Sequence, residues 1–179
     1  MKITAGKYKL KNLFFPKKGF RPTQQKVKQA MFNILGPQSV MGSGLDLCCG
    51  TGALGLEALS RGAHSMVFVD EETRYVQDNI CAILSAEDKK KAHVLKKPLE
   101  KFFKQNTQTF DFIFFDPPWS SDALYEFTLK QIGQSDILKK KGVFLCEGPK
   151  KQDLHLPLTS IGEVSLYGYG DTKLWIVRR

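Results

Sequence analysis

No apolar run in the chain approaches the ~20 residues of a membrane span, which excludes a helical transmembrane segment. The four cysteines, Cys48, Cys49, Cys81 and Cys146, follow neither zinc-ribbon nor disulfide-framework spacing. They read instead as small buried residues in a reducing compartment, and no metal site is expected. Internal repeats, low-complexity tracts and interdomain linkers are also missing, which leaves one domain. The start, Met1-Lys2-Ile3-Thr4, leads into lysine-rich sequence and carries no signal-peptide pattern, so the expected address is the cytoplasm. Acidic residues are absent from Met1 to Thr23, where seven basic residues (Lys2, Lys7, Lys9, Lys11, Lys17, Lys18, Arg21) interleave with Phe14, Phe15 and Phe20.

What is present fits a soluble α/β protein. The 179 residues are 42% hydrophobic and 25% charged, enough for a real core. The formal net charge of +9 makes a polyanionic partner plausible, and the one-signed N-terminal segment suits phosphate contact better than a mixed solvated face does. The alternative is a charge that serves solubility alone.

The pattern alternates strands and helices. Residues 1–20 read as two short strands, with turns at Ala5-Gly6 and at Pro16-Lys17-Lys18-Gly19. Thr23 is a good N-cap for a helix with Val27, Ala30, Met31, Ile34 and Leu35 at helical spacing, ending near Gly36-Pro37. Strands are expected at Leu45–Cys49, Ser65–Val69, Ala92–Leu95, Phe110–Phe115, Gly142–Glu147, Glu163–Tyr167 and Lys173–Val177. Helices fit Ala53–Arg61, Thr73–Ala86, Leu99–Phe103 and Ala123–Ile132. Phe110–Phe115 is nearly all apolar, as for a strand buried on both faces of a parallel sheet. The fold class is α/β, with a mostly parallel central sheet and a small N-terminal hairpin-and-helix appendage.

The stretch Asp46-Leu47-Cys48-Cys49-Gly50-Thr51-Gly52-Ala53-Leu54-Gly55 places a glycine turn between a strand and a helix, and Gly50–Gly55 fits G-x-G-x-x-G. On its own the match is also met by any tight strand-to-helix turn. Asp46 separates two ligands: a carboxylate at the strand end repels a pyrophosphate but suits an ammonium. That favours S-adenosylmethionine (SAM) over a dinucleotide. Asp70, twenty positions after Gly50, suits ribose hydroxyls, or else caps the next helix. In Asp116-Pro117-Pro118-Trp119, two prolines fix the backbone, so that the Asp116 carboxylate and the Pro117 carbonyl can both accept from an exocyclic amine. Trp119 offers a face to a flipped base.

These two motifs resemble motif I and motif IV of class I SAM-dependent methyltransferases that act on exocyclic amines. The whole chain is similar to the bacterial RsmD family, which methylates guanine N2 of small-subunit (16S) ribosomal RNA. The likeness runs through Ile3–Tyr8, Arg21-Pro22-Thr23, Leu56–Ala63, Asn79 and Tyr169–Thr172. It departs at Gln25 and Lys28-Gln29, at Asp70 (commonly Glu), and at Lys96-Lys97, where many class I enzymes place an adenine-contacting acid. The resemblance implies a Rossmann-like methyltransferase fold, with residues 1–37 an RNA-binding appendage and 43–179 the SAM-binding core. Asp46, Cys48, Gly50, Thr51, Gly52, Asp70 and Glu71 would bind SAM, and Asp116, Pro117 and Trp119 would hold the base. Lys7, Lys9, Lys11, Arg21 and Thr23 would meet RNA within an assembling subunit, the protein acting as a monomer. The rivals are an adenine-N6 methyltransferase, a dinucleotide-dependent oxidoreductase and a non-catalytic RNA-binding protein.

Overall fold

The computed structural model describes residues 1–15 and 25–179. Seven strands form one sheet: β1 Ser43–Leu47, β2 Ser65–Asp70, β3 Ala92–Lys96, β4 Phe110–Phe115, β5 Leu138–Pro149, β6 Glu163–Tyr169 and β7 Thr172–Arg178. Their order is β3-β2-β1-β4-β5-β7-β6. The first five are parallel, and β7 is antiparallel to both β5 and β6. Strand order reverses between β1 and β4, which opens a crevice at the carboxyl ends of those strands. The helices are α1 Gln25–Leu35, α2 Ala53–Arg61, α3 Arg74–Ile83, α4 Ala86–Lys89, α5 Leu99–Gln105, α6 Asp122–Gly133 and α7 His155–Thr159. None of the helices among the described residues is long and apolar enough to cross a membrane.

The period of two along the strands sorts side chains into two cores. Met66, Phe68, Phe112, Phe114, Leu145 and Ile176 pack on one face with α1, α2 and α3. Val67, Val69, Ile113, Phe115, Phe144 and Trp175 pack on the other with α5, α6 and α7. Phe110 shares the second face with Ile113, and the β4–β5 register shifts between Phe110 and Phe112. Both faces of β4 are therefore dry, as its run of apolar residues requires.

The N-terminal segment forms a single bridge, Lys2 with Asn12, around a turn over residues 5–10. It lies against the outer face of α2, which is buried from Ala53 to Ser60 and so needs a cover on the side away from the sheet. Gly6, at φ 80°, comes so close that a Cβ would lie 1.8 Å from the Ser60 carbonyl oxygen. Glu57 ties the cover down. It accepts from the Thr4 N–H (2.8 Å), the Thr4 hydroxyl (2.6 Å), the Ala5 N–H (3.0 Å), Lys28 (2.7 Å) and Arg61 (2.9 Å). Lys28 and Glu57 are both fully buried. Burial pulls the Lys28 ammonium down, against Glu57. Burial pushes the Glu57 carboxyl up, but Lys28 and Thr4 more than offset it, so Glu57 is held below the usual range.

Several expectations change. Among the described residues the two strands expected over residues 1–20 reduce to the Lys2–Asn12 bridge, the first strand runs Ser43–Leu47 rather than Leu45–Cys49, and Cys81, expected buried, is exposed on α3. Thr73–Ala86 is not one helix: Leu84 turns extended (ψ 143°), and Ser85 starts α4 by accepting from the Asp88 N–H. The break brings Asp88 under the N-terminal turn, where it accepts from the Tyr8 hydroxyl (2.5 Å) and pairs with Lys7 (2.8 Å) and Lys91 (2.8 Å). The fifth strand, expected at Gly142–Glu147, extends to Leu138–Pro149. The turn expected at Pro16–Gly19 and the N-cap Thr23 lie outside the described residues.

Candidate active site

The glycine turn leaves β1 through Cys48, a non-glycine residue in the left-handed region (φ 57°), at a cost of roughly 1–2 kcal/mol. Gly50 (φ 52°) and Gly52 (φ 75°) continue the turn into α2. A Cβ on Gly52 would meet Val76 at 2.6 Å. One on Gly55 would meet the Phe68 ring at 2.3 Å and Asp46 at 3.0 Å, so helix and sheet touch only where the side chain is hydrogen.

Two carboxylates hold this turn. Asp46, 2% exposed on β1, accepts from the Gly55 N–H at 2.9 Å. Asp70, at the end of β2, accepts from the N–H groups of Gly50 (2.8 Å) and Glu72 (3.0 Å). Each oxygen has two lone pairs, so these bonds leave acceptor capacity toward a ligand. A third clamp was not assigned from the sequence. Asn79, fully buried on α3, donates to the carbonyls of Thr51 (3.0 Å) and Phe14 (3.1 Å) and accepts from the Phe14 N–H (2.7 Å). It joins the glycine turn to the N-terminal segment.

A cavity of about 660 Å³ opens here, a volume usual for a cofactor site. Asp46, Cys48, Gly50, Thr51, Asp70 and Glu71 line it together with Asp116, Pro117 and Trp119. The residues assigned to cofactor and base from the sequence thus meet in one place. Gly52 stands apart from the lining and shapes the turn from behind. Pro117 is buried, while Asp116 and Trp119 are half-buried. The Pro118 carbonyl accepts from the Ser121 N–H (3.1 Å), whereas no donor among the described residues takes the Pro117 carbonyl.

The cavity also holds Tyr75, Glu100 and Glu147, to which no role was assigned from the sequence, together with Phe15 and Lys97. Lys97, where the resemblance implies an acid, lies on the wall of the cavity, and Glu100, three residues on, lines it too. Glu147 was within reach of the rule that picked Asp70 and Asp116, since it too is an acid closing an apolar strand.

The acids concentrate negative field. Burial pushes the Asp46 carboxyl well above the usual range, and Asp116 and Asp70 add to the push against its hydrogen bond from Gly55. Burial, then Asp70 and Asp116, raises the Cys48 thiol. Burial, then Asp46, raises Cys49. Both stay protonated at neutral pH and serve as packing, not as nucleophiles.

The RNA-side expectations fare differently. Lys7 is ion-paired with Asp88 beside the last turns of α2 and α3, at the amino end of the sheet, away from the cavity. Lys9, on the N-terminal turn, and Lys11, just after it, are exposed. Arg21 and Thr23 lie outside the described residues.

Known proteins resemble this chain in sequence and in fold. The family described as "Conserved hypothetical protein 95" matches residues 1–178. The Bacillus subtilis protein named "Putative rRNA methyltransferase YlbH" is 33% identical over 163 residues, covering 89% of this chain and 88% of that one. Ribosomal RNA small subunit methyltransferase D of Haemophilus influenzae is 29% identical over 163 residues, with 88% and 83% covered. A solved structure titled "Putative methyltransferase yhhF from Escherichia coli" superposes with a TM-score of 0.80 at 26% identity, covering 100% of this chain and 97% of that one. With its mostly parallel sheet reversing at β1 and β4 over an acid-lined glycine turn, this chain belongs to the "Conserved hypothetical protein 95" family, the RsmD family of class I methyltransferases.

Proposed function

We propose that this protein transfers a methyl group from SAM to the exocyclic N2 amine of a guanine in small-subunit (16S) ribosomal RNA. The observation that carries this reading is the meeting, in one cavity, of the acid-flanked glycine turn with Asp116-Pro117-Pro118-Trp119. The names of the relatives fit methylation of ribosomal RNA.

The residues present suit the cofactor. Its ammonium and sulfonium are cationic, and the cavity gathers Asp46, Asp70, Glu71, Glu100 and Asp116. SAM supplies a methyl group on positively charged sulfur. Asp46 takes the ammonium, and Asp70 accepts from the ribose hydroxyls with the lone pairs that Gly50 and Glu72 leave open. Cys48, Gly50, Thr51 and Glu71 frame the cofactor, and Gly52 sets the turn. Glu100 stands as the acid for the adenine amine.

On the substrate side, Trp119 stacks on a flipped base and leaves the amine between two acceptors. The Asp116 carboxylate and the Pro117 carbonyl each take one amine hydrogen, which favours a pyramidal nitrogen with its lone pair released from the base. The proton lost on methylation passes to Asp116 or water. No bond to the enzyme forms, so the rate rests on positioning. The protein acts as a monomer, in the cytoplasm, on RNA of an assembling subunit, with Lys9, Lys11, Arg21 and Thr23 on the RNA side.

Incubation with methyl-labelled SAM and undermodified small subunits, followed by nucleoside analysis, tests the reading. N2-methylguanosine is expected. N6-methyladenosine would transfer the motif to the adenine rival. RNA binding without SAM binding would leave a non-catalytic protein.

A further inference from the structure

We propose that Glu147 makes this site read guanine: its carboxylate accepts the N1–H of the flipped base while Asp116 and the Pro117 carbonyl hold the N2 amine. The inference rests on the guanine-N2 reading above and adds the residue that selects the base.

Placement comes first. Glu147 is 4% exposed, yet it lines the cavity. On the parallel pair β4–β5, Phe115 is the partner of Cys146 and ends the ladder; Asp116 and Glu147 are the next residue on each chain, and both line the cavity. Adjacent strands run about 4.8 Å apart. Strand parity sets direction. Cys146 packs in the core with α5 and α6, and Leu145 packs in the core with α2 and α3. Glu147 therefore points to the Leu145 side, the side to which Asp46 turns to meet Gly55 of α2. The strand end is anchored, because the Tyr125 hydroxyl donates to the Glu147 carbonyl at 2.8 Å. Both carboxylates act on the same small volume: burial raises the Cys146 thiol, and Asp116 and Glu147 each add to it.

Chemistry decides the base. Guanine carries two adjacent kinds of donor on its Watson–Crick edge, N1–H and the N2 amine. Two neighbouring carboxylates match that pair. Adenine sets its amine beside the N1 lone pair, and cytosine sets its amine beside the N3 lone pair. Against either, the second carboxylate faces a lone pair and stays unmatched in a buried site. A pocket built to hydrogen-bond a given N–H rejects the analogue that lacks it far better than an apolar pocket rejects a change in size. Asp116 and Pro117 alone would accept any of the three amines, so the discrimination falls to the residue beside them.

The test uses small subunits reconstituted with 2-aminopurine in place of the target guanosine. This base keeps the N2 amine but has a lone pair at N1. Wild-type protein should methylate it with kcat/KM at least roughly 100-fold below guanine. Glu147→Gln, whose amide can donate to that lone pair, should close the gap to within about tenfold with SAM affinity unchanged. Glu147→Asp should keep the preference for guanine. Equal use of both bases by wild type overturns the inference, as does full discrimination in the Gln variant. If the Gln variant fails to fold, the wild-type comparison decides alone. A methyl group found anywhere but guanine N2 brings down the proposed function itself, whereas N2 methylation without discrimination brings down only the role of Glu147.

Discussion

The carboxylate of Asp46 sits under α2, with the Gly55 N–H on one oxygen and the fields of Asp116 and Asp70 around it. Its folded pKa is raised, so the sign of its effect on stability is unfavourable. The charged form is penalised in the native state at every pH above the unfolded value of about 3.9. An ammonium ligand reverses the penalty by pairing with the charge. Asp46→Asn, which keeps an oxygen for Gly55, should therefore raise the melting temperature of the ligand-free protein at pH 7 and weaken SAM binding. In wild type, SAM binding should release a fraction of a proton, and affinity should fall as pH drops through the raised pKa. Calorimetry in buffers of different ionisation enthalpy measures that release. A wild-type affinity that does not fall as the buffer is made more acidic would sink this account of Asp46. Three acids at strand ends were legible from sequence because an acid closing an apolar run is a local signal. Asn79 was legible only as a point of likeness. Its work joins Phe14 and Thr51, and no periodicity reports partners 65 and 28 residues away.

At the scale of elements, α2 organises the site. Its two ends are glycines, its inner face touches β1 and β2, and its outer face carries the N-terminal cover. Gly55→Ala would drive a methyl group into Phe68 and toward Asp46. Overpacking of this kind costs about 1–3 kcal/mol, and SAM affinity should drop with it because Asp46 must move. A chemical denaturation midpoint and a calorimetric titration on one sample measure both. Stability loss with unchanged affinity would separate α2 from the cofactor. The ends of α2 and all of β4 could be read from the sequence to the residue, since glycine caps and a six-residue apolar run are local features. The break between α3 and α4 was missed, although Ser85-Ala86-Glu87-Asp88 carries a local helix-start signal, with Ser85 accepting from the Asp88 N–H. Residues 73–86 are helical by composition; what the sequence does not report is that Tyr8 and Lys7, some eighty residues away, hold Asp88 at the start of α4. That hold has a pH signature. Hydrogen bonds from Lys7, Lys91 and Tyr8 hold the Asp88 carboxyl well below the usual range. A depressed pKa gives stability that is present above about pH 3.9 and lost as pH falls through the folded value. Asp88→Asn should therefore be less stable than wild type at pH 7, and the two unfolding curves should converge below pH 4. A constant gap down to pH 2 would remove the carboxylate from the account.

Over the whole molecule, charge is divided by the sheet. The net charge is +9, yet the cavity end gathers Asp46, Asp70, Glu71, Glu72, Glu100, Asp116 and Glu147. Lys9, on the N-terminal turn, and Lys11, just after it, are exposed beside the last turns of α2 and α3, at the opposite end of the strands. β1 has five residues, so at about 3.3 Å per residue the two ends stand on the order of 16 Å apart. A single splayed nucleotide cannot reach both. RNA that places one base in the cavity and a phosphate at Lys9 or Lys11 must be folded and extended, as it is within a ribosomal subunit. A short single-stranded oligonucleotide around the target base should then be a poor substrate even at low salt. Lys9→Ala with Lys11→Ala should raise KM for subunits and flatten the log–log salt dependence by roughly 0.7–0.9 for each phosphate no longer neutralised. Both kcat and SAM affinity should hold, because neither residue touches the cavity. Lys7→Ala should behave differently. Its ammonium is committed to Asp88, so its removal should appear in the unfolding curve and leave the salt slope nearly unchanged. If the Lys9 and Lys11 variant binds subunits with the wild-type slope, the positive charge of this turn serves solubility. The phosphate contacts must then be sought nearer the mouth, at the exposed Lys150 and Lys151 that follow β5.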